Sequence, residues 1–366
     1  MKFAERVGSI ELSGIRKIFE AAGPDSINLG LGQPDFDTPQ HIKDAAVKAI
    51  CEGKTGYTPG TGIPELRDAI CKKFRRENGL SYTPDQLIVT AGASEALHIV
   101  MQALVGRGDR VLCPDPGFVS YMSLASLADG TPVSVPLTKN FHIDVEKAKV
   151  LLDDAKLFIL NSPSNPTGAV EPKESIKAIV EYAADKGVTV VSDEVYEHFI
   201  YGAKHWSAAQ FGENVVTINA TSKTYAMTGW RLGYLAASQE IISECLKVHQ
   251  YCQACATSIS QYAALAAYTG DQSPVAMMRD EYRVRRDILC GGLADLGFEF
   301  PVPEGAFYAF VPMEPAVTQK IIDAGIVIVP GSAFGKNAPG YARFSYANSR
   351  ENLHTALKRV QNVVRG

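Results

Sequence analysis

Lys223 stands in TSKTYAMTGWRLGY, directly after the apolar run 214–220 (NVVTINA). In an α/β sheet, a lysine at the carboxyl end of a strand points into the crevice where such sheets bind ligands. A lone loop lysine is more often solvated. Here Ser222 precedes it and Arg231 follows, just before Gly233, and a hydroxyl beside a guanidinium suits a phosphate group. Asp193 closes another apolar run, GVTVVSD, and Tyr196 lies just beyond. Asp193 could equally cap a helix. As a buried carboxylate it could instead hold a protonated ring nitrogen, with the Tyr196 phenol in reach of a ring oxygen. Asn165 lies in NSPSNPTG after a third such run, although Asn-Pro is also an ordinary turn signal. In TAGASEAL, Gly92, Ala93 and Ser94 lie between a strand-like and a helix-like run. Small residues there let backbone N–H groups approach an anion at a helix N-terminus. The segment is neither a Walker A loop nor GxGxxG, so a nucleotide site gains no support. A lysine, an aspartate, a tyrosine, an asparagine and an anion cradle together suggest pyridoxal 5′-phosphate.

These residues need a frame that presents strand ends to one crevice. Short apolar runs at 87–90, 110–114, 155–161, 187–193 and 214–220 alternate with helix-like stretches such as 94–104 and 173–185. Continuous apolar strands separated by helices imply a mostly parallel sheet with both faces covered. The tail differs: a long helix-like stretch at 277–297, short strands at 307–311, 326–329 and 341–346, and a last helix at 349–364. The expected architecture is an α/β large domain over 41–274. A smaller α+β domain would combine 275–366 with 1–40, whose single short helix is too little for a core of its own.

Composition narrows the partners. The 366 residues are 46% hydrophobic and 21% charged, enough to bury a large core. A net charge of −4 offers nothing to nucleic acid or an anionic membrane. No apolar run approaches the ~20 residues of a membrane span. The start, MKFAERVGSIELSG, lacks a signal-peptide core, and the seven cysteines are odd in number and scattered. A cytoplasmic protein with reduced thiols is expected.

Nine segments in order resemble the fold-type I pyridoxal-phosphate-dependent aminotransferases of class I/II: LGLGQPDFDTP, YTPGTGIPELR, TAGASEAL, DPGFVSY, NSPSNPTG, SDEVYEHFIY, SKTYAMTGWRLGY, EGAFYAF and RFSYA. The likeness spans essentially the whole chain and is strongest to the archaeal aspartate enzymes. It implies that Lys223 carries the cofactor through its amine and moves the proton of the substrate Cα. It implies that Asp193 pairs with the pyridinium nitrogen and that Asn165 and Tyr196 hold the ring oxygen. Phe118 would stack on the ring. Gly92, Ala93, Ser94, Ser222 and Arg231 would bind the phosphate, and Tyr57 would reach it from the partner of a homodimer with shared sites. Gly32 and Arg343 would clamp the substrate α-carboxylate. The implied activity moves an amino group between an L-amino acid, aspartate first, and 2-oxoglutarate by a ping-pong route.

Some positions depart from that pattern. Ala220 replaces a phosphate-binding serine of some relatives, and Phe118 stands where others have tryptophan. Ser94 occupies the place of a lysine that meets the distal carboxylate in some bacterial aspartate enzymes. Arg16, in ELSGIRKIF, is the substitute proposed for that charge, against its plainer reading as a solvated helix arginine. Other readings keep the same cofactor: an aromatic-amino-acid or other 2-oxoglutarate-dependent aminotransferase, or a β-eliminating lyase. A regulator with an aminotransferase-like sensor fits the acidic chain poorly. Cys252 and Cys255 form one C-x-x-C with no second pair, and the histidines lack metal-ligand spacing, so no metal is expected.

Overall fold

The computed structural model describes residues 3–8, 10, 23 and 25–365. After a short helix at Glu5–Gly8 comes β1 (Ile27–Asn28). Then follow β2 (Leu87–Thr90), β3 (Arg110–Asp115), β4 (Thr131–Pro136), β5 (Leu157–Asn161), β6 (Thr189–Asp193), β7 (Val215–Ala220) and β8 (Gly233–Ala236). The last seven form one sheet in the order β2-β8-β7-β6-β5-β3-β4. Its strands run parallel except at β8, which is antiparallel to both β2 and β7.

Both faces of the sheet are covered, which is why its strands read as unbroken apolar runs. In β5, Leu157 and Ile159 join a cluster with Leu97, Val100 and Met101 of helix Ala93–Leu104. The alternate residues Phe158 and Leu160 pack with Ile176, Ile179, Val180 and Ala183 of helix Lys173–Asp185. The strand period of two thus meets a helix stripe spaced i, i+3, i+4, i+7. Truncating such a buried residue to alanine costs about 2–5 kcal/mol.

The C-terminal part holds β9 (Tyr308–Pro312), β10 (Ile326–Val327), β11 (Val329–Pro330) and β12 (Tyr341–Ser345). β11, β12 and β9 form an antiparallel sheet, and β10 pairs in parallel with β1. Helices Ser273–Asp295 and Arg350–Arg365 supply Leu289, Leu293, Leu353 and Val360 to the core beneath. That core also takes Val195, Tyr196 and Ala220 from the ends of β6 and β7. One continuous apolar cluster therefore ties the strand ends of the large sheet to the C-terminal sheet.

Three strands were not expected from sequence: the two-residue β1, β4 and β8. β4 carries Pro132 and Pro136 and pairs only with β3, an edge position where proline's missing N–H is harmless. β8 is four residues long and begins at Gly233, where a Cβ would stand 2.6 Å from the backbone N of Ala93. Only glycine lets this strand start against the turn that opens helix Ala93–Leu104. The 326–329 run is two short strands rather than one. Among the described residues no helix is long and apolar enough to cross a membrane.

Candidate active site

β5, β6 and β7 end together, with Asn161 opposite Asp193 and Asp193 opposite Ile218. Their ends open into a cavity of about 300 Å³. Asp193 is buried at its floor, and its Oδ2 accepts a 2.7 Å hydrogen bond from the Tyr121 hydroxyl. Burial pushes the Asp193 carboxyl up to about 6, against the opposing pull of Tyr121, the Val195 N–H and Lys223. Such a carboxylate gains most from a cationic hydrogen-bond donor placed against it.

Lys223 lies in the one-turn helix Thr221–Thr224 that follows β7, and its Nζ donates to the Gly32 carbonyl at 2.7 Å. Burial and the nearby Arg231 and Arg343 guanidiniums bring its ammonium down to about 8. A lysine so placed offers a sizeable fraction of neutral amine near pH 8, which makes it a nucleophile and a base.

Arg343 projects from β12 and is 1% exposed. Its Nη1 donates to Asn165 Oδ1 at 2.8 Å and its Nη2 to the Gly30 carbonyl at 2.6 Å, while its buried Nε is unpartnered. The guanidinium lies 4.4 Å from the Tyr308 ring centre. The Tyr308 hydroxyl in turn stands 2.7 Å from the Tyr196 hydroxyl. Arg231 closes the other end. It donates to the Thr228 carbonyl at 2.8 Å and its Nη2 would touch a Cβ at position 92, at 2.6 Å. Gly92, at φ +82°, caps helix Ala93–Leu104 and permits this approach. The first N–H groups of a twelve-residue helix and a guanidinium thus face one point. Among the described residues neither Arg231 nor Arg343 has a carboxylate partner. The cavity lining therefore sets three cations against one carboxylate, Asp193.

The fold brings Gly32, Ala93, Ser94, Phe118, Asn165, Asp193, Tyr196, Ser222, Lys223, Arg231 and Arg343 to this lining, with Gly92 just behind. Tyr57 is 89% exposed and away from the cavity of its own chain. Arg16 lies outside the described residues. Sequence reasoning missed Tyr121, Asn161 and Tyr308. Tyr121 had a signal, since it falls three residues after Phe118 at the start of a helix, and such residues share a face. Tyr308 stood in EGAFYAF without an assigned role. Among the described residues one triad of potential metal ligands, Glu194, Glu197 and His205, was likewise not foreseen. It is an ion-pair network, with His205 Nε2 bonded to Glu194 at 3.0 Å and the Lys73 ammonium bonded to Glu197.

The profile of the family described as aminotransferase class I and II matches residues 24–360. The chain belongs to that family. This aminotransferase is 47% identical to a probable aspartate aminotransferase of Methanocaldococcus jannaschii, over 98% of its own length and 99% of the relative's. It is 41% identical to an aspartate aminotransferase of Pyrococcus horikoshii, over 99% and 97% of the two chains. The solved structure of the Thermus thermophilus aspartate aminotransferase with maleate superposes with a TM-score of 0.95 at 38% identity, covering 99% of this chain and all of that one.

Proposed function

We propose that this aminotransferase binds pyridoxal 5′-phosphate and moves an amino group between L-aspartate and 2-oxoglutarate. The observation that carries the reading is the charge balance of the cavity: Lys223, Arg231 and Arg343 face only Asp193. An anionic phosphate at Arg231 and Gly92, and a substrate carboxylate at Arg343, would neutralise what the protein leaves unpaired. The residues present therefore suit this cofactor. Ala93, Ser94, Ser222 and Arg231 hold its phosphate, Asp193 its ring nitrogen, Asn165 and Tyr196 its ring oxygen, and Phe118 one ring face. When bound it supplies the electron sink on which amino-group transfer depends.

The protein's own groups do the rest. Arg343, held from behind by Asn165 and Gly30, receives the α-carboxylate on its fork beside the Gly32 backbone. Lys223 Nζ, a partly neutral amine, takes the proton from the substrate Cα. Asp193, steadied by Tyr121, keeps a proton on the ring nitrogen. In a homodimer, Tyr57 of the partner subunit would complete the phosphate site, which accounts for a tyrosine left almost fully exposed in one chain. Residues 41–274 form the cofactor-binding domain, and 275–366 with 1–40 the smaller one, in keeping with the β1–β10 pair. Seven unpaired cysteines suit a cytoplasmic home.

Aspartate is favoured over aromatic donors because relatives at 41–47% identity are aspartate aminotransferases, one of them a probable one, and because Arg16 would supply a second cation. The test is a panel of aspartate, phenylalanine, tyrosine and alanine with 2-oxoglutarate, using protein reconstituted with the cofactor. Aspartate should have the highest kcat/KM. A faster aromatic donor would shift the assignment to an aromatic aminotransferase. Pyruvate release without consumption of 2-oxoglutarate would make it a lyase.

A further inference from the structure

Behind the anion cradle lies a network outside the reaction itself. Glu95 is in the first turn of helix Ala93–Leu104, next to the proposed phosphate-binding residues Ala93 and Ser94. Its Oε2 accepts from the Ala91 N–H and from Gln253 Nε2, each at 2.5 Å. Its Oε1 lies 2.8 Å from Nδ1 of His249, a side chain with no exposure at all. His249 Nε2 then donates to the Gly60 carbonyl at 2.9 Å. A carbonyl can only accept, so Nε2 carries a proton, and a second proton lies between Nδ1 and the carboxylate. Burial raises the Glu95 carboxyl, but His249 and the Ala91 N–H outweigh it and hold it below the usual range.

Gly60 belongs to YTPGTG, the loop that carries the exposed Tyr57. Gln261 anchors the same loop through the Ile63 N–H and the Thr58 hydroxyl, both at 2.8 Å. Through Glu95 and Gly60, the His249 side chain joins this loop to the cradle. It also balances a largely buried carboxylate set beside an anion site, where a lone negative charge would repel the phosphate.

We infer that His249 is a positioning residue that ties the anion cradle of one subunit to the Tyr57 arm serving its partner. This rests on the cofactor and dimer reading above. His249 touches neither substrate nor cofactor. It acts through Glu95 on the cradle and through Gly60 on the arm, so a disturbance at one phosphate site would be felt at the other.

The experiment measures pyridoxal-phosphate affinity by equilibrium dialysis of the resolved enzyme, with the dimer checked by sedimentation. His249→Gln, which keeps one donor and similar bulk, should weaken affinity by ~10-fold or more while kcat at saturating cofactor changes less than ~3-fold. Adding Glu95→Gln should recover most of the loss, because the stranded charge is gone. Tyr57→Phe should weaken affinity in the parent yet add little in His249→Gln, because the arm is already released. Unchanged affinity in His249→Gln, or a Tyr57 effect fully additive with it, overturns the inference. Failure of the parent protein to bind the cofactor would instead overturn the proposed function. If His249→Gln does not assemble, Glu95→Gln alone decides. It should leave affinity equal or tighter, and a ~10-fold weakening would refute the charge-balance argument.

Discussion

Lys223 is held in a state that suits chemistry and opposes stability, and replacing it should show both. Its ammonium would titrate at 10.5 when unhindered and falls to about 8 in the cavity. At ~1.4 kcal/mol per tenfold change in proton affinity, that drop disfavours the charged lysine by about 3 kcal/mol near pH 7. The sign follows from linkage: the unfolded chain binds this proton more tightly, so the penalty is full well below pH 8 and vanishes as pH rises through 10.5. Lys223→Met also removes the hydrogen bond to the Gly32 carbonyl, worth ~1.5–3 kcal/mol when the donor is charged. The cofactor-free variant should therefore equal the parent or exceed it by up to about 2 kcal/mol at pH 7. That advantage should shrink by about 3 kcal/mol toward pH 10.5. Transamination should be lost. The assay is urea unfolding of both cofactor-free proteins at pH 7 and pH 10, at one protomer concentration because a dimer's stability depends on it. A stability difference that does not change with pH would refute the reasoning, because it would mean that Lys223 is not electrostatically strained in the fold.

Arg343→Lys should raise KM for every amino donor alike, by ~10- to 100-fold, because a point charge cannot replace a fork held by Asn165 and Gly30; steady-state kinetics on the donor panel checks this. Arg16→Ala should lower kcat/KM for aspartate by about 10²-fold and leave alanine and aromatic turnover near their starting values. An equal loss for all donors would remove Arg16 as the selector. Lys73, 1% exposed, pairs with Glu197 and donates to Asn78 Oδ1 at 2.8 Å. Burial would raise the Glu197 carboxyl, but Lys73, His198 and His205 outweigh it and hold it well below the usual range. Lys73→Met strands that carboxylate and should cost about 3–5 kcal/mol in denaturant unfolding. Adding Glu197→Gln should restore part of the loss.

The sequence alone determined most of the central strands and where the reactive groups sit along them. Apolar runs such as LFILN and VVSD are buried on both faces and could hardly be anything but central strands. Asp193 and Lys223 follow such runs directly, so their place at strand ends was local information. The turn at Gly92 was legible for the same reason, because a glycine before a helix leaves a visible mark. What only the tertiary structure decided are contacts between distant positions. Asn165 meets Arg343 across 178 residues, and Gly30 meets it across 313. Tyr121 meets Asp193 across 72, and Tyr196 meets Tyr308 across 112. No local pattern encodes these pairs: three depend on how the C-terminal sheet packs against the rest of the chain, and Tyr121 with Asp193 depends on where helix Ser120–Leu127 sits against the end of β6. β8 was hidden likewise: its antiparallel course is set by pairing with β2 and β7, not by its own four residues. The charge imbalance that marks the cavity has the same origin. Lys223, Arg231 and Arg343 are ordinary basic residues in the chain; folding sets them around one carboxylate, and burial strains the charges of Lys223 and Arg343 while Arg231 stays exposed.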